Sequence, residues 1–246
     1  DEVFGLLPGG GYAEYSVMRE NMAMPKPDKL SFTEAAAIPE TFLTAYQALF
    51  LLAELQSEEK VLIHAGASGV GTAAIQLARS TASEVFVTCG KPHKVETCKK
   101  LGADYAINYT EQDFAKRIAH HTGGKGVDVI LDFIGADYWH QNLSSLALDG
   151  RLILLGLLGG HKTDSFSLLP FLKKRIRIIA STLRSRSLEY KIDLTQKFQA
   201  DFLVKLAEGE IRPVIDSVLH WHDVEKAHKR MTQNENTGKI VLTFDE

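Results

Sequence analysis

Val61-Leu62-Ile63-His64-Ala65-Gly66-Ala67-Ser68-Gly69-Val70-Gly71-Thr72-Ala73-Ala74 decides the fold. A short apolar strand runs into a glycine-rich turn, and Val70, Ala73, Ala74, Leu77 and Ala78 then repeat at helical spacing. Backbone N–H groups converge where such a helix begins, and the helix dipole favours a phosphate there. Glycines allow the tight turn and let a pyrophosphate approach the backbone. This order of elements is expected of a dinucleotide-binding turn. Gly66 and Gly71 take the outer positions of G-x-G-x-x-G, while Ser68 stands in place of the middle glycine and Gly69 follows it. A nucleophile elbow G-x-S-x-G does not fit, because Val70 occupies its last glycine.

The next strand, Glu84-Val85-Phe86-Val87-Thr88, leads into Cys89-Gly90-Lys91-Pro92-His93-Lys94. An NAD site places a carboxylate near this point for the ribose 2′-hydroxyl. Here a glycine and two lysines stand instead, which leaves room and positive charge for a 2′-phosphate. NADPH is therefore the expected cofactor. Lys91 and Lys94 taken singly also read as solvated residues of a surface helix.

From residue 60 to about 180, strand and helix alternate: 60–65, 69–80, 84–88, 92–101, 104–108, 111–121, 127–132, 137–147, 151–156 and 176–181. Val127-Asp128-Val129-Ile130-Leu131 and Leu152-Ile153-Leu154-Leu155 are nearly continuous apolar runs. Such runs suit a parallel sheet covered on both faces. The expected class is α/β with a Rossmann-type doubly wound parallel sheet. Before it, residues 1–30 read as strands and turns, with Tyr12–Met18 alternating as a strand and Gly9–Gly11 a hairpin turn. Ser31 and Glu34 form a capping box for a short helix. After about residue 187 come a helix over 190–208, a strand at Val214-Ile215, a helix over 222–232 and a strand over 239–243.

The 246 residues are 45% hydrophobic and 24% charged, with a formal net charge of −3, which argues against a nucleic-acid partner. Cys89 and Cys98 are the only cysteines, so neither a disulfide framework nor a zinc cluster is indicated. No apolar run reaches the roughly 18 residues of a membrane span. A cytoplasmic enzyme is expected. Asp1-Glu2-Val3-Phe4 opens in strand-like sequence, which suggests further chain upstream.

Taken together, Glu34-Ala35-Ala36-Ala37-Ile38-Pro39-Glu40-Thr41-Phe42-Leu43-Thr44-Ala45-Tyr46, His64 to Gly71, Leu101-Gly102-Ala103, Asn108-Tyr109 and Gly238-Lys239-Ile240-Val241 resemble the zeta-crystallin-like quinone oxidoreductases of the medium-chain dehydrogenase/reductase superfamily. Leu148-Asp149-Gly150-Arg151 and Leu183-Arg184-Ser185-Arg186 are most similar to the tumour-suppressor-induced subgroup. The resemblance implies three parts: residues 1–35 as the remnant of a GroES-like β-rich substrate domain truncated at its N-terminus, 36–187 as the NADP-binding domain, and 188–246 as a return segment completing the substrate domain.

The resemblance also implies roles. Ser68, Gly69 and Val70 would contact the pyrophosphate and its ribose; Gly90, Lys94 and Tyr109 would surround the 2′-phosphate, with Lys91 beside them. Thr44 and Asp132 would lie near the nicotinamide, lined by Gly156, Leu157, Leu158, Leu183 and Arg184, and Lys239 would close the groove. Thr44 and Arg184 are the substrate-side candidates, and no general acid is assigned. Asp132 also reads as a cap on the strand-to-loop transition, Tyr109 as a packing residue, and Arg184 as a solvated or dimer-surface cation. The implied reaction is zinc-free reduction of a quinone or conjugated carbonyl by a homodimer that uses NADPH in an interdomain cleft. The rival readings are a zinc alcohol dehydrogenase, disfavoured because residues 31–50 contain neither Cys nor His, an enoyl-thioester reductase, and an NADPH-binding scaffold or sensor.

Overall fold

The structure, a computed structural model, describes residues 1–164 and 166–244. The chain divides into two compact units. The first comprises Asp1–Ala45, Ser68–Ala73 and Leu183–Glu246; the second comprises Tyr46–Ala67 and Ala74–Thr182.

In chain order the strands are β1 (Val3–Phe4), β2 (Met24–Pro25), β3 (Lys60–Ile63), β4 (Glu84–Cys89), β5 (Tyr105–Asn108), β6 (Val127–Asp132), β7 (Leu146–Leu154), β8 (Arg177–Ala180), β9 (Ile215–His220) and β10 (Lys239–Thr243). The α-helices are α1 (Phe32–Ala36), α2 (Pro39–Tyr46), α3 (Gly69–Arg79), α4 (Pro92–Lys100), α5 (Phe114–His121), α6 (Trp139–Ser145), α7 (Leu169–Lys174), α8 (Leu188–Glu208) and α9 (Val224–Thr232). A π-helical stretch, Gln47–Leu52, continues α2.

The second unit is built on one sheet of order β5-β4-β3-β6-β7-β8, with every pairing parallel. The order reverses beside β3, which pairs with β4 on one side and β6 on the other. That reversal is the crevice at which open α/β sheets bind ligands. Leu62, Phe86, Ile130 and Leu152 are buried along the sheet, and Ile107, Phe114, Ile118, Leu143 and Leu146 pack with them. Each such side chain contributes about 1.5–3 kcal/mol relative to leaving it in water. Arg151 leaves β7 to donate from Nε to the Ala53 carbonyl, and its guanidinium pairs with Glu59 over two hydrogen bonds.

In the first unit α1 starts at Ser31, whose hydroxyl accepts from the Glu34 N–H while the Glu34 carboxylate accepts from the Ser31 N–H, so the expected capping box is present. Phe42, Phe198 and Phe202 pack together, and β9 pairs parallel with β10.

Three expectations need correction. Residues 12–18 form no strand: Tyr12, Tyr15 and Val17 are exposed, and no described segment is in a ladder with them. Alternation alone does not make a strand without a partner for its backbone groups. The helix expected over 137–147 stops at Ser145, and β7 begins at Leu146, earlier than the expected 151. Asp149-Gly150 lies inside β7, where the register with β6 shifts and Asp149 has φ +61°. Helix α7 was not expected; Pro170 sits in its first turn, where the missing N–H costs nothing.

Candidate functional site

Strand β3 ends with its ladder still paired on both sides, since the His64 N–H donates to the Leu131 carbonyl and the Gly66 N–H to the Thr88 carbonyl. Between them Ala65 takes φ +48°. A Cβ on Gly66 would lie 2.8 Å from the Val87 Cβ, so the turn presses onto β4 and only glycine fits.

Within the first unit, Ser68–Ala73 opens α3. The Ser68 hydroxyl accepts from the Gly71 N–H at 3.0 Å, and the Thr72 N–H donates to the Ser68 carbonyl at 2.8 Å. A Cβ on Gly69 would lie 2.8 Å from the Thr41 Cγ2 and 3.6 Å from the Lys239 Cδ. Ser68 also bridges to Gly238 in parallel register. Thr41, Ser68, Gly69 and Lys239, drawn from separate stretches of the chain, are thereby gathered at one helix N-terminus. Lys239 reaches the Glu40 carboxylate at 3.2 Å. Thr44 is half-buried in α2, Leu183 is buried and Arg184 is exposed, with its carbonyl accepting from the Lys191 ammonium.

Within the second unit, the end of β4 carries the other candidates. Tyr109 lies against Gly90, where a Cβ would come within 2.6 Å of the phenol oxygen, and the Tyr109 N–H donates to the Cys89 carbonyl. Lys94 is 4% exposed, on the first turns of α4, rather than solvated. Its charge acts on the buried thiols of Cys89 and Cys98. The hydrogen bond between those thiols holds Cys89 below the usual thiol range, helped by Lys94; the same bond, together with burial, pushes Cys98 up. No Asp or Glu stands between Cys89 and Val95.

Asp132 ends β6 with no exposure. Its Oδ1 accepts from the Ile134 N–H at 2.7 Å and the Gly135 N–H at 3.2 Å, and Oδ2 from the Asn142 amide at 3.1 Å. Burial raises its pKa, opposed by these bonds. The side chain therefore staples the loop after β6. That loop zips to the one after β7: Leu158 N–H donates to the Phe133 carbonyl and Gly159 N–H to that of Ile134. Gly156 lies against Phe133, and Leu157 and Leu158 are exposed.

The sequence did not reveal the partners of His64. This wholly buried imidazole has Nδ1 2.8 Å from the Thr88 hydroxyl and Nε2 2.7 Å from the Asn142 Oδ1. Burial lowers its pKa to about 4, so the ring is neutral at neutral pH. Because the Asn142 amide nitrogen donates to Asp132, its oxygen faces His64 and accepts from Nε2–H, leaving Nδ1 to accept from Thr88. The chain Thr88–His64–Asn142–Asp132 thus ties the ends of β4, β3 and β6 together through α6. Its only local signal was a histidine closing an apolar strand.

Residues 69–200 match the zinc-binding dehydrogenase family. The chain belongs to it, within the quinone oxidoreductase-like branch of the medium-chain dehydrogenase/reductases. It is 31% identical over 234 residues to human quinone oxidoreductase, covering 95% of this chain and 69% of that protein. Among solved structures, an NAD-dependent alcohol dehydrogenase superposes with TM-score 0.85 at 34% identity, covering 96% of this chain and 66% of the other. The CurK enoyl reductase superposes with TM-score 0.78 at 31% identity, covering 91% and 66%. The chain spans only 11% of another relative, a highly reducing polyketide synthase of Aureobasidium melanogenum to which it is 34% identical over 237 residues, 95% of this chain. Among the described residues no group of three or more His, Cys, Asp or Glu is placed to hold a metal ion, and no helix is long and apolar enough to cross a membrane.

Proposed function

We propose that this oxidoreductase binds NADPH and reduces a quinone or a similarly conjugated carbonyl. The observation that carries the reading is that Gly69 and Gly90 each stand where a Cβ would clash, with Lys239 near the first, Lys91 next to the second and no carboxylate at the end of β4. In the first unit Ser68, Gly69 and Val70 offer N–H groups at a helix N-terminus, with Lys239 adjoining, which suits a pyrophosphate. In the second unit Gly90, Tyr109, Lys91 and Lys94 suit a 2′-phosphate. A reduced nicotinamide supplies hydride when bound. The chain's own tasks are to hold its ring, exclude water and orient the acceptor. In the second unit, the stapled loops carrying Asp132, Gly156 and Leu157 are the residues we assign to the nicotinamide side; in the first, Thr44 and Arg184 are the substrate-side candidates.

Side-by-side titration of the chain with NADPH and NADH, followed by nicotinamide fluorescence, tests the cofactor. We expect NADPH to bind more tightly; equal or tighter NADH binding overturns the 2′-phosphate assignment. The similarity to an enoyl reductase favours a second acceptor, an enoyl thioester. Oxidation of NADPH with a benzoquinone or with a crotonyl thioester separates the two. We also propose that two copies associate through the sheet edge, where β8 ends the strand order, which a light-scattering mass would test.

A further inference from the structure

Lys239 is held over the turn by a rigid backbone. Gly238 has φ +80°, and a Cβ there would strike the Val214 carbonyl; the Lys239 N–H donates to that same carbonyl at 2.8 Å. The Lys239 stem passes 3.6 Å from the Cβ position of Gly69, and its ammonium ends 3.2 Å from the Glu40 carboxylate. Both side chains are partly open to solvent, at 35% and 54% exposure. A carboxylate therefore sits beside the cation that would meet an incoming pyrophosphate, at a helix start that itself favours anions.

We propose that Glu40 is a positioning residue that sets nucleotide affinity by competing with the pyrophosphate for Lys239. This rests on the assignment of Ser68–Val70 as the pyrophosphate turn. In the free protein Glu40 occupies the ammonium. When a dinucleotide arrives, Lys239 exchanges one carboxylate for a doubly charged pyrophosphate. The pair thus keeps the site from binding the nucleotide too tightly to release it. A solvent-open pair is weak enough for such an exchange. Glu40 also lies in the first turn of α2, where an acid complements the dipole, and that role alone predicts an effect on stability and none on affinity.

The test is a double-mutant cycle on the dissociation constant for NADPH, using the wild-type chain, Glu40→Gln, Lys239→Met and the double variant, with the thermal midpoint of each recorded without ligand. Glu40→Gln is expected to tighten NADPH binding about two- to fivefold, the scale of an exposed ion pair. Lys239→Met is expected to weaken it, and in that background the Glu40 change is expected to have no effect. An unchanged or weaker constant for Glu40→Gln, or a gain that persists without Lys239, overturns the inference while leaving the dinucleotide reading standing. Failure of the folded wild-type chain to bind either NADPH or NADH overturns both at once.

Discussion

Two stretches of this chain hold three glycines each in opposite surroundings, Gly9–Gly11 and Gly66–Gly71. Gly9-Gly10-Gly11 is exposed, with nothing within 4 Å of a Cβ built on Gly9 or Gly10 and only the Leu7 side chain, at 3.9 Å, near one on Gly11. Around the turn after β3, Gly66 and Gly69 would each bring a Cβ to 2.8 Å of a neighbour, and Gly238, bridged to Ser68, would bring one to 2.2 Å of a carbonyl oxygen. Only the second group is glycine for want of space. A glycine run is therefore demanded by packing where neighbouring segments press on it, and marks a bend otherwise.

The comparison breaks most severely at Gly238. Gly238→Ala combines a left-handed backbone with a Cβ driven into the Val214 carbonyl, and we expect a loss of about 3–4 kcal/mol in urea denaturation. A loss below about 1 kcal/mol would show that this segment yields easily and that the turn is not braced by it.

Next comes the pH response of the buried base of the turn. His64 has a folded pKa near 4 against an ordinary value of 6.5, so its neutral form is favoured by folding. Its stabilisation is complete above about pH 6.5 and is lost as the pH falls towards 4, a loss of roughly 3 kcal/mol at most. Asp132 acts in the opposite sense: its raised pKa favours the fold in acid and works against it once the pH rises above the ordinary carboxylate value. Chemical denaturation across pH 7 to 4 should show a smaller stability loss in His64→Gln than in the wild type. Parallel curves would mean that the imidazole charges without cost.

Gly90→Asp probes the end of β4. A carboxylate there repels a 2′-phosphate and can accept from a ribose hydroxyl, so NADPH affinity should fall about tenfold, or 1.4 kcal/mol, while NADH affinity does not fall. An unchanged ratio would leave Gly90 as packing space for Tyr109 alone.

What the sequence made legible follows from how far each signal reaches along the chain. The apolar runs of β6 and β7 and the helical period of α3 are local, and the parallel sheet could be read from them. The capping box at Ser31 is local as well, complete within four residues. The strand assigned to Tyr12–Met18 shows the converse, since pairing depends on a partner that alternation does not reveal. Among candidate site residues, Gly66 and Gly69 were legible as a turn, but the reasons they must be glycine, Val87 and Thr41, lie 21 and 28 positions away. The His64–Asn142 contact joins residues 78 apart, and nothing in the spacing of either announces it.

The smallest effects separate the two uses of glycine within the exposed run itself. Gly10 has φ +70° in open space, so Gly10→Ala meets no atom but strains the backbone, for an expected cost of about 1 kcal/mol. Gly9 has neither a left-handed φ nor a neighbour, and Gly9→Ala should fall within about 0.5 kcal/mol of wild type. It could even gain slightly, because alanine restricts the unfolded chain. Neither change should alter NADPH affinity, since this run opens no helix and Gly9 and Gly10 face open space. A measurable loss of binding from Gly9→Ala would end the contrast between the two stretches and place residues 9–11 in the site.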